Sequence, residues 1–507
     1  MPIKFSRKTS VNGYIKALWI LGALLIIVLV VQSAGLPKKY GSLFLEQVFK
    51  QPLKIAATYA QLVDSFDENL TVIKWLGGFD KERVYLVFFQ NTAELRPTGG
   101  FWGSYGLLKV KDGAITSLVI DDIYHLDDKT VKALPQKPPQ PLAEHLQVKQ
   151  WFMRDLNWSP DFAQTARLAL AFYRYLDPRG SVIQESPQSQ PLQVDGVIAV
   201  NPSFISELLK KYGSLEIDNQ LYEADNFLAK TQFQTSIGFR EKRVSDWERK
   251  EFLQELADKL IAKIAATSGG FSLDDWKDWQ HFWLMNTAQK NLLLYSAEPS
   301  IQSFLVAKNW AGALRQNPTG DYLMVADANL ASLKTDPEIE RKIVHQVEVG
   351  DIGHLVTTQI TYVHHGQFDW RTTRYRTYVR VYVPLGVELK SATVKKANQD
   401  VVVTDSIKVS QELNKTVFGY FLSTEPQSEQ TLILTYVLPQ MGPDNYSLLV
   451  QKQPGAGRQT ISLEYQGPQA VSQNNWPGQY HLNQNKFIGD PVDFVQDLEF
   501  NLNLADR

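Results

Sequence analysis

A chain of 507 residues with 44% hydrophobic, 11% aromatic and 21% charged side chains has the makeup of a folded protein. It is longer than one hydrophobic core serves, so two or three domains are expected. Its 52 basic and 54 acidic residues leave a formal charge of -2, which excludes the global positive field of a dedicated nucleic-acid binder, and the lack of any cysteine excludes disulfides, thiolate metal sites and thiol nucleophiles.

The N-terminus carries the strongest local signal. Ala17 to Val31 has no polar side chain, and Gln32 and Ser33 carry the run on to Leu36, close to the ~20 residues a helix needs to cross a hydrocarbon core of roughly 30 Å. Lys4, Arg7, Lys8 and Lys16 precede it and Lys38 and Lys39 follow, a bias that places residues 1–16 in the cytoplasm and the body outside. A cleaved signal peptide is the competing reading, since Ser33-Ala34-Gly35 supplies small residues after the apolar run. Both readings export the body, and the expected location is the cell membrane, single-pass, with the body extracytoplasmic.

Between Leu43 and Trp75 apolar residues recur at helical spacing, broken once by Pro52, which predicts a helical stalk over 37–79. A buried strand follows at Lys81–Asn91, then two strands around Lys111-Asp112-Gly113, a hairpin signal. Pro135 to Pro141 reads as an irregular excursion and Phe162–Leu176 as a helix. After the polar loop Gly180–Gln193 come the strand VDGVIAV and the helix PSFISELLKKYG, with Pro202 near its start and Gly213 at its end. Ser245-Asp246-Trp247-Glu248 is a capping box for a helix marked by Phe252, Leu256, Leu260 and Ile264, and a further helix from about Asp274 carries Trp276, Trp279 and Trp283 on one face, most simply for packing. From about Lys342 short alternating runs such as HLVTTQITYVHH and RYRTYVRVYVP predict a β-sandwich. The expected architecture is therefore an α/β domain, a mixed sheet with flanking helices, at 80–335, a C-terminal β-sandwich at 340–490 and a tail at 491–507, all behind a transmembrane helix at 17–36.

The sequence holds no H-E-x-x-H, Walker loop, G-x-S-x-G or Rossmann glycine fingerprint. His364 and His365 are adjacent, but neighbours in a strand face opposite ways and rarely chelate one metal. One segment stands out: Asn91 to Gly106, between two predicted strands, sets Gly99, Gly100, Gly103 and Gly106 beside Arg96. Glycines let backbone N–H groups approach a ligand, and a guanidinium fork matches phosphate or carboxylate oxygens, so anion binding is the sharp reading. The plain one is a tight connection whose Arg96 pairs with Glu94 or a helix end. A second cluster, Phe152 to Phe162, offers Arg154 as another anion clamp and Asp155 or Asp161 as a magnesium ligand or base, with Asp121 and Asp122 as further carboxylates. Capping, through Ser159 or Asp161, is the plain reading there.

NTAELRPTGGFWGSYGLLKVKDG resembles the opening signature of the bacterial domain-of-unknown-function family 4012, envelope proteins with an N-terminal membrane helix. The resemblance continues through FMRDLNWSPDF, VDGVIAVNPSFISELLKKYG, NWAGAL, DANLASLKTD and YVRVYVPLGVEL. The order of parts is also similar to that of LytR-CpsA-Psr phosphotransferases, which attach polyprenyl-pyrophosphate-linked glycopolymers to the cell wall using arginines, aspartates and magnesium. Their Arg-Ser-Asp-Thr signature is Arg96-Pro97-Thr98-Gly99 here, and the later Arg-Asp-Thr is Asp121-Asp122-Ile123. These resemblances imply an envelope protein that binds an anionic glycopolymer or lipid-linked precursor. In a catalytic version Arg96 and Arg154 would stabilise pyrophosphate charge while Asp122 or Asp155 held magnesium; in a non-catalytic one the chain would be a structural or protein-interaction module.

Overall fold

The computed structural model describes residues 71–72, 74–130, 136–180, 191–234, 246–267, 273–317, 320–350, 353–397, 399–438 and 445–505. The expected membrane span at 17–36, the residues before it, most of the stalk and the Ser245 capping box lie outside the described residues. Among the described residues no helix is long and apolar enough to cross a membrane. What is described is a mixed α/β protein with several sheets and many strands, divided into two compact units.

The first unit takes the described residues up to Gln90, those within Trp102–Lys132, and Ala166–Ala311. Strand β1 (Arg83–Asn91) is buried at nearly every position, as a strand covered on both faces must be. It pairs in parallel with β4 (Gly196–Val200), Tyr85 opposite Gly196. Strands β2 (Phe101–Lys111) and β3 (Ala114–Asp122) form the expected hairpin, with Lys111 opposite Ala114. Asp112 and Gly113 both take positive φ, 50° and 75°, the conformation that an Asp-Gly two-residue turn accommodates. Strands β5 (Leu215–Ile217) and β6 (Gln220–Tyr222) make a separate ribbon. Strand β7 (Leu292–Ser296) completes a five-stranded sheet in the order β3-β2-β1-β4-β7.

Helices of this unit follow the apolar periodicity. Helix α1 (Ile123–Thr130) leaves the end of β3. The chain then forms α2 (Gln140–His145) in the second unit and α3 (Phe162–Leu176), whose Ala166, Ala169, Leu170 and Tyr173 are buried. Helix α4 (Pro202–Tyr212) has Pro202 where its missing N–H costs nothing, and it stops at Gly213, whose φ of 87° and N–H to the Leu209 carbonyl close the last turn. After α5 (Phe227–Phe233), helix α6 (Asp246–Thr267) buries Leu256, Leu260 and Ile264. Helix α7 (Leu273–Ala288) buries Trp279 and Trp283, which stack edge-on against Phe282 and Trp310. Helix α8 (Pro299–Ala307) follows β7.

The second unit takes Asn91–Phe101, the described part of Ala133–Thr165, and the described residues from Gly312 onward. Its strands are β8 (Asp321–Asn329), β9 (Ile339–Gly350), β10 (Gly353–His364), β11 (Tyr375–Pro384), β12 (Glu388–Lys396), β13 (Gln399–Val402), β14 (Lys408–Glu412) and β15 (Lys415–Thr424). They continue with β16 (Ser428–Leu438), β17 (Asn445–Val450), β18 (Gln459–Gln466), β19 (Val471–Asn474), β20 (Tyr480–Asn483), β21 (Lys486–Asp493) and β22 (Leu498–Leu504). One sheet runs β13-β12-β16-β10-β9-β18-β21-β20 and the other β14-β15-β11-β8-β17-β22-β19. Strict alternation in β10, where every second residue is buried, points one face inward.

Both sheets contribute to a single apolar core. Val325, Val381, Phe418 and Leu448 come from one sheet and Ile343, Ile360, Leu434, Leu463 and Phe487 from the other. Each such side chain stabilises by about 1.5–3 kcal/mol relative to exposure. The carboxylates of Asp321 and Asp327 lie inside this core, and both are partnered, as burial demands. Asp321 accepts from His345 (2.9 Å) and Tyr446 (2.8 Å). Asp327 forms an ion pair with Arg341 and accepts from Tyr362 (2.7 Å) and Thr377 (3.1 Å).

Candidate functional site

The loop Asn91–Phe101 belongs entirely to the second unit. Turns shape it locally: Gly99 donates to the Arg96 carbonyl (2.8 Å) and Phe101 to the Glu94 carbonyl (2.8 Å). Gly100 has φ 154°, and a Cβ there would stand 2.5 Å from the Asn91 carbonyl oxygen, so the glycine is required by close backbone packing. Side chains of the same unit then fix the loop at successive points. The Leu95 N–H donates to Asp336 (3.0 Å), the Gly100 carbonyl accepts from Asn157 (2.7 Å), and the Arg96 carbonyl accepts from Gln453 (3.2 Å).

Arg96 is 3% exposed. Its guanidinium donates to the Asn329 carbonyl and to Glu94 (3.1 Å), lies 4.0 Å from Asp155, and stands 5.4 Å from the Phe101 ring centroid. Its buried Nε has no hydrogen-bond partner. Arg154 approaches Asp155 from the other side at 3.8 Å and lies over the Phe152 ring at 4.5 Å. The 3-10 turn Met153–Asp155 is tied down by Trp151, which donates to the Asp155 carbonyl (2.9 Å). Burial pushes the Asp155 carboxyl up, and Arg96 and then Arg154 pull it down; burial likewise pushes Glu94 up against the pull of Arg96.

Three of the four expected catalytic residues, Arg96, Arg154 and Asp155, thus meet in one cluster, together with Gly99 and Gly100 in the adjoining loop. Asp122 and Gly103 belong to the first unit. Asp122 sits at the head of α1, where its carboxylate accepts from the Tyr124 N–H (2.9 Å) as a helix cap, and Asp121 pairs with His125 (2.7 Å). Asp161 caps α3 through the Gln164 N–H (2.8 Å) and also accepts from the Leu314 N–H (2.9 Å). His364 is buried with Nε2 2.9 Å from the Thr373 carbonyl, whereas His365 is exposed and pairs with Glu340 (3.0 Å). The two imidazoles have separate partners.

Magnesium does not suit Asp155. A cation there would share the carboxylate with two guanidiniums, and among the described residues no group of three or more His, Asp or Glu side chains is placed to hold a metal ion. What the arrangement does supply is a charge-compensated junction. Asp336 is its other half: it accepts from Asn329 (2.6 Å), Tyr375 (3.0 Å) and the Leu95 N–H, and burial pushes it up to about 7 against those donors. Sequence reasoning did not single out Asn329, Asp336 or Gln453. The available signal was polar residues interrupting apolar strand sequence, in VADAN and LLVQKQ.

Residues 80–234 match the family described as "Protein of unknown function (DUF4012)". The DUF4012 stretch contains the Arg96 loop, the hairpin, the Arg154–Asp155 turn and the β4–α4 unit, which supports the resemblance carried by those segments. No curated protein matches the chain. Among solved structures, a candidate nutrient binding protein of Legionella pneumophila aligns at TM-score 0.26 with 9% identity, over 36% of this chain and 71% of its own. Leukotriene A4 hydrolase of Saccharomyces cerevisiae aligns at 0.21 with 7% identity, over 33% and 29%. An M1 zinc metallopeptidase of Deinococcus radiodurans aligns at 0.21 with 10% identity, over 34% and 43%. This chain spans less than half the length of the last two. At these scores the likenesses carry no argument.

Proposed function

We propose that this chain is a single-pass, membrane-anchored envelope protein whose extracytoplasmic body binds an anionic glycopolymer or its lipid-linked precursor without transforming it. Support for the anchor is the apolar run Ala17–Leu36 behind Lys4, Arg7, Lys8 and Lys16. The observation that carries the non-catalytic reading is the burial of Arg96 with its Nη donors engaged by Asn329 and Glu94. A catalytic clamp needs donors aimed at charge that develops on a substrate, and these are aimed at the protein itself. Arg154 is the more accessible cation of the cluster, its side chain 19% exposed against 3% for Arg96, and is the one assigned to reach a ligand.

A phosphotransferase is the second reading, favoured by the meeting of Arg96, Arg154 and Asp155 in one cluster. Two measurements on the full chain test the proposal. Retention in membranes after alkaline extraction, with the body open to protease from outside, is the outcome for an exported anchored protein; release by alkali would remove the anchor. Saturable calorimetric binding of a soluble polyprenyl-pyrophosphate analogue without turnover supports the binding module. Turnover would establish the second reading, and no binding would overturn the ligand class.

A further inference from the structure

The connection between β10 and β11 presents four consecutive exposed residues, Gln367, Phe368, Asp369 and Trp370. Two are large and aromatic, Phe368 at 65% and Trp370 at 45% exposure. The backbone bridge from Leu333 to Thr372 brings a third apolar side chain alongside, Leu333, at 50% exposure. Leu333 takes φ 52°, a left-handed conformation that a bulky residue adopts only when its surroundings impose it.

The display is built rather than loose. Asp369 accepts from the Arg371 N–H (2.7 Å) and the Thr372 N–H (2.6 Å) and donates its own N–H to the Thr372 carbonyl (3.0 Å). Gln427 donates to the His365 and Gly366 carbonyls, and the Lys334 N–H to the Arg371 carbonyl (2.9 Å). A cap, a bridge and a side-chain clamp hold the turn, so presenting the aromatic tips costs little conformational entropy on binding.

Charge around the turn selects the partner. Arg371 pairs with Glu338, Arg374 with Glu425, and His365 with Glu340. Apart from Lys342, which shares Glu340 with His365, these charges pair off, so the rim carries little net charge and matches a layer of zwitterionic headgroups, where aromatic side chains settle at the boundary. The roughly 35 residues between Leu36 and Thr71 can extend at most about 120 Å at ~3.3–3.6 Å each, so a body anchored at 17–36 is confined near a bilayer. A tether of that reach turns a weak three-residue contact into an intramolecular one.

We infer that Phe368 and Trp370, with Leu333, form a wedge that inserts at the surface of a zwitterionic bilayer and holds the second unit against the membrane. The inference rests on the anchored reading of Ala17–Leu36, and the test keeps the two apart. Because the chain has no cysteine, Gln367→Cys carries a nitroxide at a single site, and Val402→Cys, also exposed, serves as a distant control. The full chain is mixed with phosphatidylcholine vesicles, and accessibility of each nitroxide to a water-soluble relaxation agent is measured; alkaline extraction of the same vesicles reports the anchor separately. The expected result is loss of accessibility at 367 and none at 402, reversed by Phe368→Ser with Trp370→Ser while thermal unfolding is unchanged. Position 367 remaining as accessible as 402 overturns the wedge, whether or not the chain resists extraction. Protection of 367 by a soluble anionic polysaccharide in place of vesicles also overturns it, in favour of a glycan site.

Discussion

The Arg96 guanidinium stands 4.0 Å from the Asp155 carboxylate, inside the second unit, with both side chains buried. Arg96 also holds the Asn329 carbonyl at the end of β8, and Gln453 holds the Arg96 carbonyl in return. The loop that the sequence marks as a ligand cradle also fastens its own unit's strands and turn together. Its glycines serve close backbone approach, and its charges compensate one another.

Gly455 takes φ 68°, and a Cβ there would lie 2.0 Å from the Gly99 carbonyl oxygen. Gly455→Ala should destabilise the second unit by about 1–3 kcal/mol, through overpacking and backbone strain together. Gly457 has nothing within 4 Å, so Gly457→Ala should stay within about 0.5 kcal/mol of wild type. Denaturant unfolding of the two variants side by side checks this, and equal midpoints would contradict it.

Removing one member of the buried Arg341–Asp327 pair should cost about 3–5 kcal/mol, because the other charge is left without its counterion. Arg341→Met would leave Asp327 with only the hydroxyls of Tyr362 and Thr377. The expected outcome is a large drop in the unfolding midpoint, smaller in Arg341→Met combined with Asp327→Asn. A double variant as unstable as the sum of the single ones would show that the pair is not coupled.

Asp336 carries a pH dependence. Its carboxyl is pushed from an ordinary 3.8 up to about 7 by burial, so between these values the folded protein holds a proton that the unfolded chain has released. Stability contributed by that proton is present below about pH 4 and is lost as pH rises through 7. Asp336→Asn, which cannot titrate, should flatten the fall in unfolding temperature between pH 4 and 7. An unchanged slope would assign the dependence elsewhere.

Much of the fold was legible because it follows from periodicity. Phe162–Leu176, the Asp112-Gly113 hairpin and the Pro202-to-Gly213 helix each carry their own start or stop signals, and the alternation from Lys342 onward marks strands with one face inward. The site was legible only in part. Arg96, Arg154 and Asp155 stood out as polar residues in unusual company, but Asn329, Asp336 and Gln453 reach the loop from distant parts of the chain. Long-range pairing of that kind leaves no spacing in one dimension. Nor does sequence distinguish a carboxylate that caps a helix, as Asp122 does, from one that waits for a ligand.

Comparing Arg96→Ala with Arg154→Ala in the full chain tests the central claim most directly, with thermal unfolding and calorimetric binding of a soluble polyprenyl-pyrophosphate analogue read on both. Arg96→Ala should lower stability by about 3–5 kcal/mol, since Glu94 and Asp155 lose a buried counterion. Arg154→Ala, which removes the more exposed of the two cations beside Asp155, should lower the unfolding temperature less than Arg96→Ala does and should weaken binding. An Arg96→Ala protein that unfolds like wild type and has lost binding would contradict the account and make Arg96 a ligand clamp.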